Sequence, residues 1–154
     1  MKRILFIFTI LMGICLSTMA QQGLKINDVF VGKVVPKRHI QESLIKGDNL
    51  AAYKLKVLHT AKFSTFGTLR RDSIEALFQE DMKMRISDDD SNMEMEMRNG
   101  HLYYAIVQLT DNEKGVHRYI CYQCRERERG YDITLVYMEG SASLAYLRKI
   151  FKRK

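Results

Sequence analysis

Asn99-Gly100 lies between two stretches of alternating apolar and polar residues, and it constrains its neighbours more tightly than any other dipeptide in the chain. A two-residue type I′ turn needs positive φ at both central positions, which Asn and Gly supply, and its twist matches the strands it joins. Met93-Glu94-Met95-Glu96-Met97 alternates strictly on one side, and His101 to Ile106 continues on the other. With a two-residue turn, Arg98 faces His101, Met97 faces Leu102 and Met95 faces Tyr104. One face then gathers Met93, Met95, Met97, Leu102, Tyr104 and Ile106, and the other gathers Glu94, Glu96, Arg98, His101 and Tyr103. A slip of one residue exchanges the two faces, so the hydrophobic pattern should fix the register.

The rest of the chain supplies partners for this hairpin. Ile26, Val29 and Phe30 recur at helical spacing, with Gly32 placed to stop the turn. Ile40 to Ile45 and Tyr53 to Phe63 read as strands joined through Gly47-Asp48, with a bulge expected near Leu58, where the alternation breaks phase. Asp72 is positioned to cap a helix while Glu75 reaches back, and Ile74, Leu77, Phe78 and Met82 form its apolar stripe. After the hairpin, Val116 to Arg125 and Tyr131 to Met138 are further strands, separated by turns at Thr110–Gly115 and Glu126–Gly130. Ser141 or Ser143 caps a last helix with an apolar face of Leu144, Leu147, Ile150 and Phe151, and the tail Lys152-Arg153-Lys154 suits the negative end of its dipole. Short connections between the late strands demand antiparallel pairing. The predicted fold is α+β: an antiparallel sheet of about five to six strands with two to three helices packed on one face.

The first twenty residues carry a different signal. Lys2 and Arg3 precede about thirteen uncharged residues, Ile4 to Leu16, which suits a secretory signal peptide and falls short of a membrane span. Thr18-Met19-Ala20 offers small residues for cleavage before Gln21. Ile14 ahead of Cys15 is too bulky for a lipidation site, which favours release over lipid tethering. The expected organisation is a signal peptide over residues 1–20 and one small domain over residues 21–154, periplasmic or secreted and not an integral membrane protein after cleavage. Cleavage removes two basic residues and no acidic ones, lowering the formal net charge of +7 to about +5. The basic residues are scattered along the chain, so a solvated basic surface is expected and no nucleic-acid partner.

Candidate chemistry is sparse. Cys121-Tyr122-Gln123-Cys124 resembles a redox or metal motif, but it falls in a strand, where residues three apart point to opposite faces with Cα atoms about 10 Å apart. The expectation is two separate thiols, with Cys121 and Cys124 kept as the candidates should a bulge bring them together. His117 and Cys121 share a face about 13 Å apart, too far for one ion. Asp88, Asp90 and Asn92 begin like a calcium loop, yet Met93 and Asn99 stand where glycine and glutamate are required. Arg125-Glu126-Arg127-Glu128-Arg129 alternates in sign and reads as a charged hairpin tip. Glu94 and Glu96, about 7 Å apart on one strand face, form with His101 and Tyr103 the only candidate catalytic group, of hydrolase type. No cofactor is expected.

Tyr137-Met138-Glu139-Gly140-Ser141-Ala142-Ser143-Leu144 resembles the strand-to-helix close of short exported Bacteroidota proteins, and Leu24-Lys25-Ile26-Asn27-Asp28-Val29-Phe30 resembles their opening. The families concerned are domain of unknown function families 6108 and 4252. The resemblance implies an exported envelope protein and brings no catalytic residues with it. The expected function is non-enzymatic binding of an envelope protein or ligand. The alternatives are a carboxylate enzyme on the Glu94/Glu96 face or a CxxC redox or metal protein.

Overall fold

In the computed structural model, Gln21 and residues 23–151 are described; the expected signal peptide with Cys15, Gln22 and the basic tail 152–154 lie outside the described residues. The described residues open on a one-turn helix α1 (Asn27–Phe30) and then enter strand β1 (Gln41–Lys46). A 3-10 turn at Asp48–Tyr53 leads into β2 (Leu55–Thr65), followed by helix α2 (Thr68–Met82). Strands β3 (Met93–Arg98), β4 (His101–Leu109), β5 (His117–Arg127) and β6 (Gly130–Gly140) form a meander, and helix α3 (Leu144–Phe151) closes the fold. All six strands join one antiparallel sheet in the order β1-β2-β6-β5-β4-β3. The α+β class and the antiparallel sheet are as the sequence predicts.

The helices differ from expectation in their placement. Ile74, Phe78 and Met82 of α2 join Ala61, Phe63, Ile120, Tyr122, Ile133 and Leu135 in the main core on the first face, beneath Leu24, Ile26, Val29 and Phe30. Leu144 and Leu147 of α3 pack on the opposite face, with Leu50, Leu55, Ile106, Tyr119 and Met138. The reason lies in the alternation of β4, β5 and β6, which is apolar on both faces at their adjoining ends: Ile120 beside Tyr119, and Tyr137 beside Met138. A strand buried on both sides needs a cover on each. Ser143 caps α3 through its hydroxyl, which accepts from the Tyr146 amide at 3.2 Å. Only the first turn is buried; Ile150 and Phe151 remain exposed.

The hairpin turn forms as predicted, with φ of 51° at Asn99 and 79° at Gly100, and Arg98 and Met97 face His101 and Leu102. Beyond that point the register shifts. Glu96 faces Tyr104 and Met95 faces Ala105, so Tyr103 is an extra residue on β4. The expectation that Met95 and Tyr104 share a face is therefore overturned. The bulge keeps Leu102, Ala105 and Val107 together in the main core and sends Glu94 and Glu96 to the second face, opposite Ile106 and Tyr104. A second irregularity, between Leu55 and Val57, stands close to the bulge expected near Leu58. Helix α2 starts at Thr68 with Gly67 as its N-cap, so Asp72 does not cap it. Asp72 and Glu75 lie in its second turn with side chains turned toward the hairpin.

Two clasps hold the N-terminal segment on the first face. Buried Asp81 near the end of α2 accepts from the amides of Lys25 (2.6 Å) and Ile26 (2.8 Å), burial raising its pKa against the lowering effect of those bonds. His59 stacks on Phe30 with ring centroids 4.2 Å apart and bridges Gln21 at 2.8 Å and Glu42 at 2.6 Å. Burial lowers the His59 pKa from its ordinary 6.5, outweighing the opposing pull of Glu42. Burial pushes Glu42 up, but bonds from Lys37 and His59 more than reverse it, leaving it below its ordinary 4.5.

Both ends of β6 are glycine because β2 passes too close for a side chain. A Cβ on Gly130, which also holds φ at 125°, would overlap the Thr65 carbonyl, and one on Gly140 would overlap the Lys54 carbonyl. Gly130→Ala and Gly140→Ala should each cost about 3 kcal/mol. Gly23→Ala, with open space around it, should be close to neutral in the same denaturant melts. The lowered folded-state pKa of His59 means that the unfolded chain takes up its proton first. Its contribution is complete above pH 6.5 and is lost as the pH falls through the folded pKa. Tm should therefore fall on acidification from pH 7.5 toward 5, and His59→Gln should flatten that slope.

Candidate functional site

The sequence-predicted residues divide between two sites. His101 stands on the first face beside α2. Arg71 donates to its Nε2 at 3.0 Å, while its Nδ1 lies 3.6 Å from Glu75 and 3.8 Å from Asp72. The tautomer follows: a guanidinium can only donate, so Nε2 accepts and the proton sits on Nδ1, toward the carboxylates. Glu75 is buried, with Oε1 accepting from the Leu102 amide at 3.0 Å and from Gln79 at 3.1 Å. Arg71 is buried too, 4.5 Å over the Tyr131 ring and paired with Asp72 at 2.7 Å. An open hollow of about 630 Å³ lies over this cluster, rimmed by Arg98, Tyr103 and Arg125.

Asp72, Glu75 and His101 are the group among the described residues whose ligand atoms approach within 4.8 Å of one another, the spacing a bound cation requires. Arg71 already supplies the cation there. Its guanidinium neutralises Asp72 and donates to His101 Nε2, the nitrogen that would have to carry the proton if a metal took Nδ1. The cluster ties the tip of the β3–β4 hairpin to α2.

Glu94 and Glu96 line the other site, a trough of about 450 Å³ on the second face. Its floor is Tyr104 of β4, Cys121 and Gln123 of β5, and Thr134 and Val136 of β6; Arg148 and Phe151 of α3 form one wall. Glu96 pairs with Arg98 at 2.7 Å and Glu94 with Arg148 at 3.4 Å. Arg148 also donates to the Met93 carbonyl, fixing α3 against β3. Tyr103, the bulge residue, lines both hollows and lies 3.3 Å beneath the Arg98 guanidinium. The candidate group is thus split: Glu94 and Glu96 lie in the trough, His101 lies across the sheet, and Tyr103 stands between.

Arg71, Arg148 and, on the trough floor, Gln123, Thr134 and Val136 stand outside the sequence-predicted site residues. The i, i+4 pair Arg71 and Glu75 flanking Ile74 was the available signal for the first cluster. Beyond Glu94 and Glu96 the trough had none, because it assembles from five elements, β3 to β6 and α3, whose facing residues are set by sheet pairing and not by any one sequence window.

The sequence matches a family of unknown function, DUF6108, over residues 13–151. The chain belongs to that family. No curated protein and no solved structure matches it.

In this DUF6108 chain the CxxC thiols stand apart, as their strand position predicts: Cys124 lies in the main core and Cys121 packs against the second-face cluster. Burial pushes Cys121 up to about 12 and raises Cys124 as well, with Tyr122 and Arg71 pulling the latter back in part. A thiolate is the reactive form, so both should be sluggish. Mass-mapped alkylation at pH 8 should modify each at least about tenfold more slowly in the folded protein than in urea.

Proposed function

We propose that this chain is an exported, non-enzymatic binding domain of a Gram-negative Bacteroidota envelope, released after cleavage near Ala20 and engaging a protein or ligand in its second-face trough. The basic start, the apolar run Ile4 to Leu16 and the Thr18-Met19-Ala20 triplet support export. No described helix is long and apolar enough to cross a membrane.

One observation carries the binding reading. The trough brings the half-buried amide of Gln123 and the hydroxyls of Thr134 and Tyr104 together beside apolar Val136 and Phe151, within a rim of paired charges. A concave surface with a few converging polar groups and an apolar floor is what a specific ligand or partner side chain needs. Catalysis asks for more, namely a base held by an orienting group within reach of a nucleophile. The trough's carboxylates are paired with Arg98 and Arg148, and the nearest imidazole, His101, is turned toward α2.

The test is capture from envelope extract by tagged protein, run beside Thr134→Trp and Gln123→Trp, which fill the trough. A partner retained by the unsubstituted protein and reduced at least about tenfold by either tryptophan supports the reading. Retention of nothing specific, or equal retention by all three, overturns it. Melting temperatures within a few degrees of one another show that the variants are folded.

A further inference from the structure

The outer edge of β1 has a pattern that goes beyond trough binding. β1 is the first strand of the sheet and is bonded to β2 on one side only. The Gly47 amide donates to the Lys56 carbonyl at 3.0 Å, continuing the register in which Lys46 faces Val57. A direct bond between facing residues marks a hydrogen-bonded pair, and such pairs alternate along an antiparallel ladder. Odd-numbered residues of β1 therefore bond to β2, while Glu42 and Leu44 direct their backbone N–H and C=O away from it.

We propose that this edge pairs with a second copy of the chain, antiparallel about a two-fold axis at Leu44. Three independent features agree on that register. Centring the axis on an outward-facing residue matches outward groups with outward groups, giving roughly six new backbone hydrogen bonds. The same axis sets Glu42 opposite Lys46 of the second copy, twice, so opposite charges meet across the strands. It also sets Leu44 against Leu44 and Ile45 against Ser43, covering side chains that are 48% and 37% exposed in the single chain. Glu42 already holds His59 through Oε1 and Lys37 through Oε2, and a carboxylate has lone pairs left for a third partner. Isolated edge charges usually prevent strand addition; here the two charges are complementary under the one symmetry that also satisfies the backbone. The opposite edge lacks this property. A two-fold at Met95, within β3, sets Glu94 against Glu96, and Arg148 already holds the Met93 carbonyl.

Sedimentation equilibrium over a concentration series tests the proposal. The purified protein should double its mass as concentration rises. Lys46→Glu, which opposes two carboxylates, should raise the dimer dissociation constant at least about tenfold, and Glu42→Lys combined with Lys46→Glu should restore it. Leu44→Pro removes no hydrogen bond to β2, so it should leave circular dichroism unchanged, and melting unchanged at concentrations where the unsubstituted chain is monomeric, while abolishing the dimer. A protein that stays monomeric up to about 0.3 mM overturns the proposal. So does a dimer that Leu44→Pro and Lys46→Glu leave intact.

Discussion

The pairing of β2 with β6 is the constraint on which the rest of the fold depends. Ten facing pairs, from Leu55 opposite Gly140 to Thr65 opposite Tyr131, join segments from distant parts of the chain. This ladder places β6 in the sheet's interior and leaves β3 at the far edge, four strand positions from β2. Four strand spacings are about 19 Å, and the chain must cross them between the end of β2 and the start of β3. The 15 residues of α2 span about 22 Å, so one straight helix laid across the first face makes most of the journey. Its apolar stripe then lies over the strands it crosses. Glycines at both ends of β6 permit this, because any Cβ there would meet the β2 backbone.

What the sequence revealed and what it concealed follow from the range of the interactions involved. The Asn99-Gly100 turn, the strand character of Cys121 and Cys124, and the Ile74/Phe78/Met82 stripe are local, and each was legible. The Tyr103 bulge was not. Strict alternation in Met93 to Met97 points to one register, whereas burial of Leu102, Ala105 and Val107 against α2 requires an extra residue on β4. The core outweighed the pattern of an exposed edge strand. Asp72 and Glu75 formed a plausible capping box, but the helix begins four residues earlier, and the two carboxylates serve His101 and Leu102 across 26 to 29 residues of chain. A sequence window does not contain those partners.

The two candidate sites differ in what their charges are doing. On the first face, Arg71 and Glu75 are buried, and Arg71 pairs with Asp72 and donates to His101 while Glu75 accepts from the Leu102 amide, so the cluster's polar groups are engaged in holding the hairpin to α2. In the trough the charges are at the rim and the floor groups converge on open space. Electrostatic pairing at a rim orients a partner and sets its register, while the apolar and hydrogen-bonding floor supplies affinity. That division is the basis of the binding reading proposed above.

The trough and the β1 edge also occupy different ends of the sheet. The trough rests on β6, β5 and β4 and is walled by β3 and α3, while β1 lies beyond β2 at the other side. A dimer formed through β1 would continue the sheet to twelve strands without touching either trough. The two-fold axis would then set two identical troughs toward opposite ends of one rigid assembly. Such an arrangement favours repeating or paired partners, because the second contact becomes intramolecular once the first is made. The edge pairing therefore extends the binding reading and does not compete with it: modest affinity at each trough becomes useful when the scaffold presents two of them at a fixed distance.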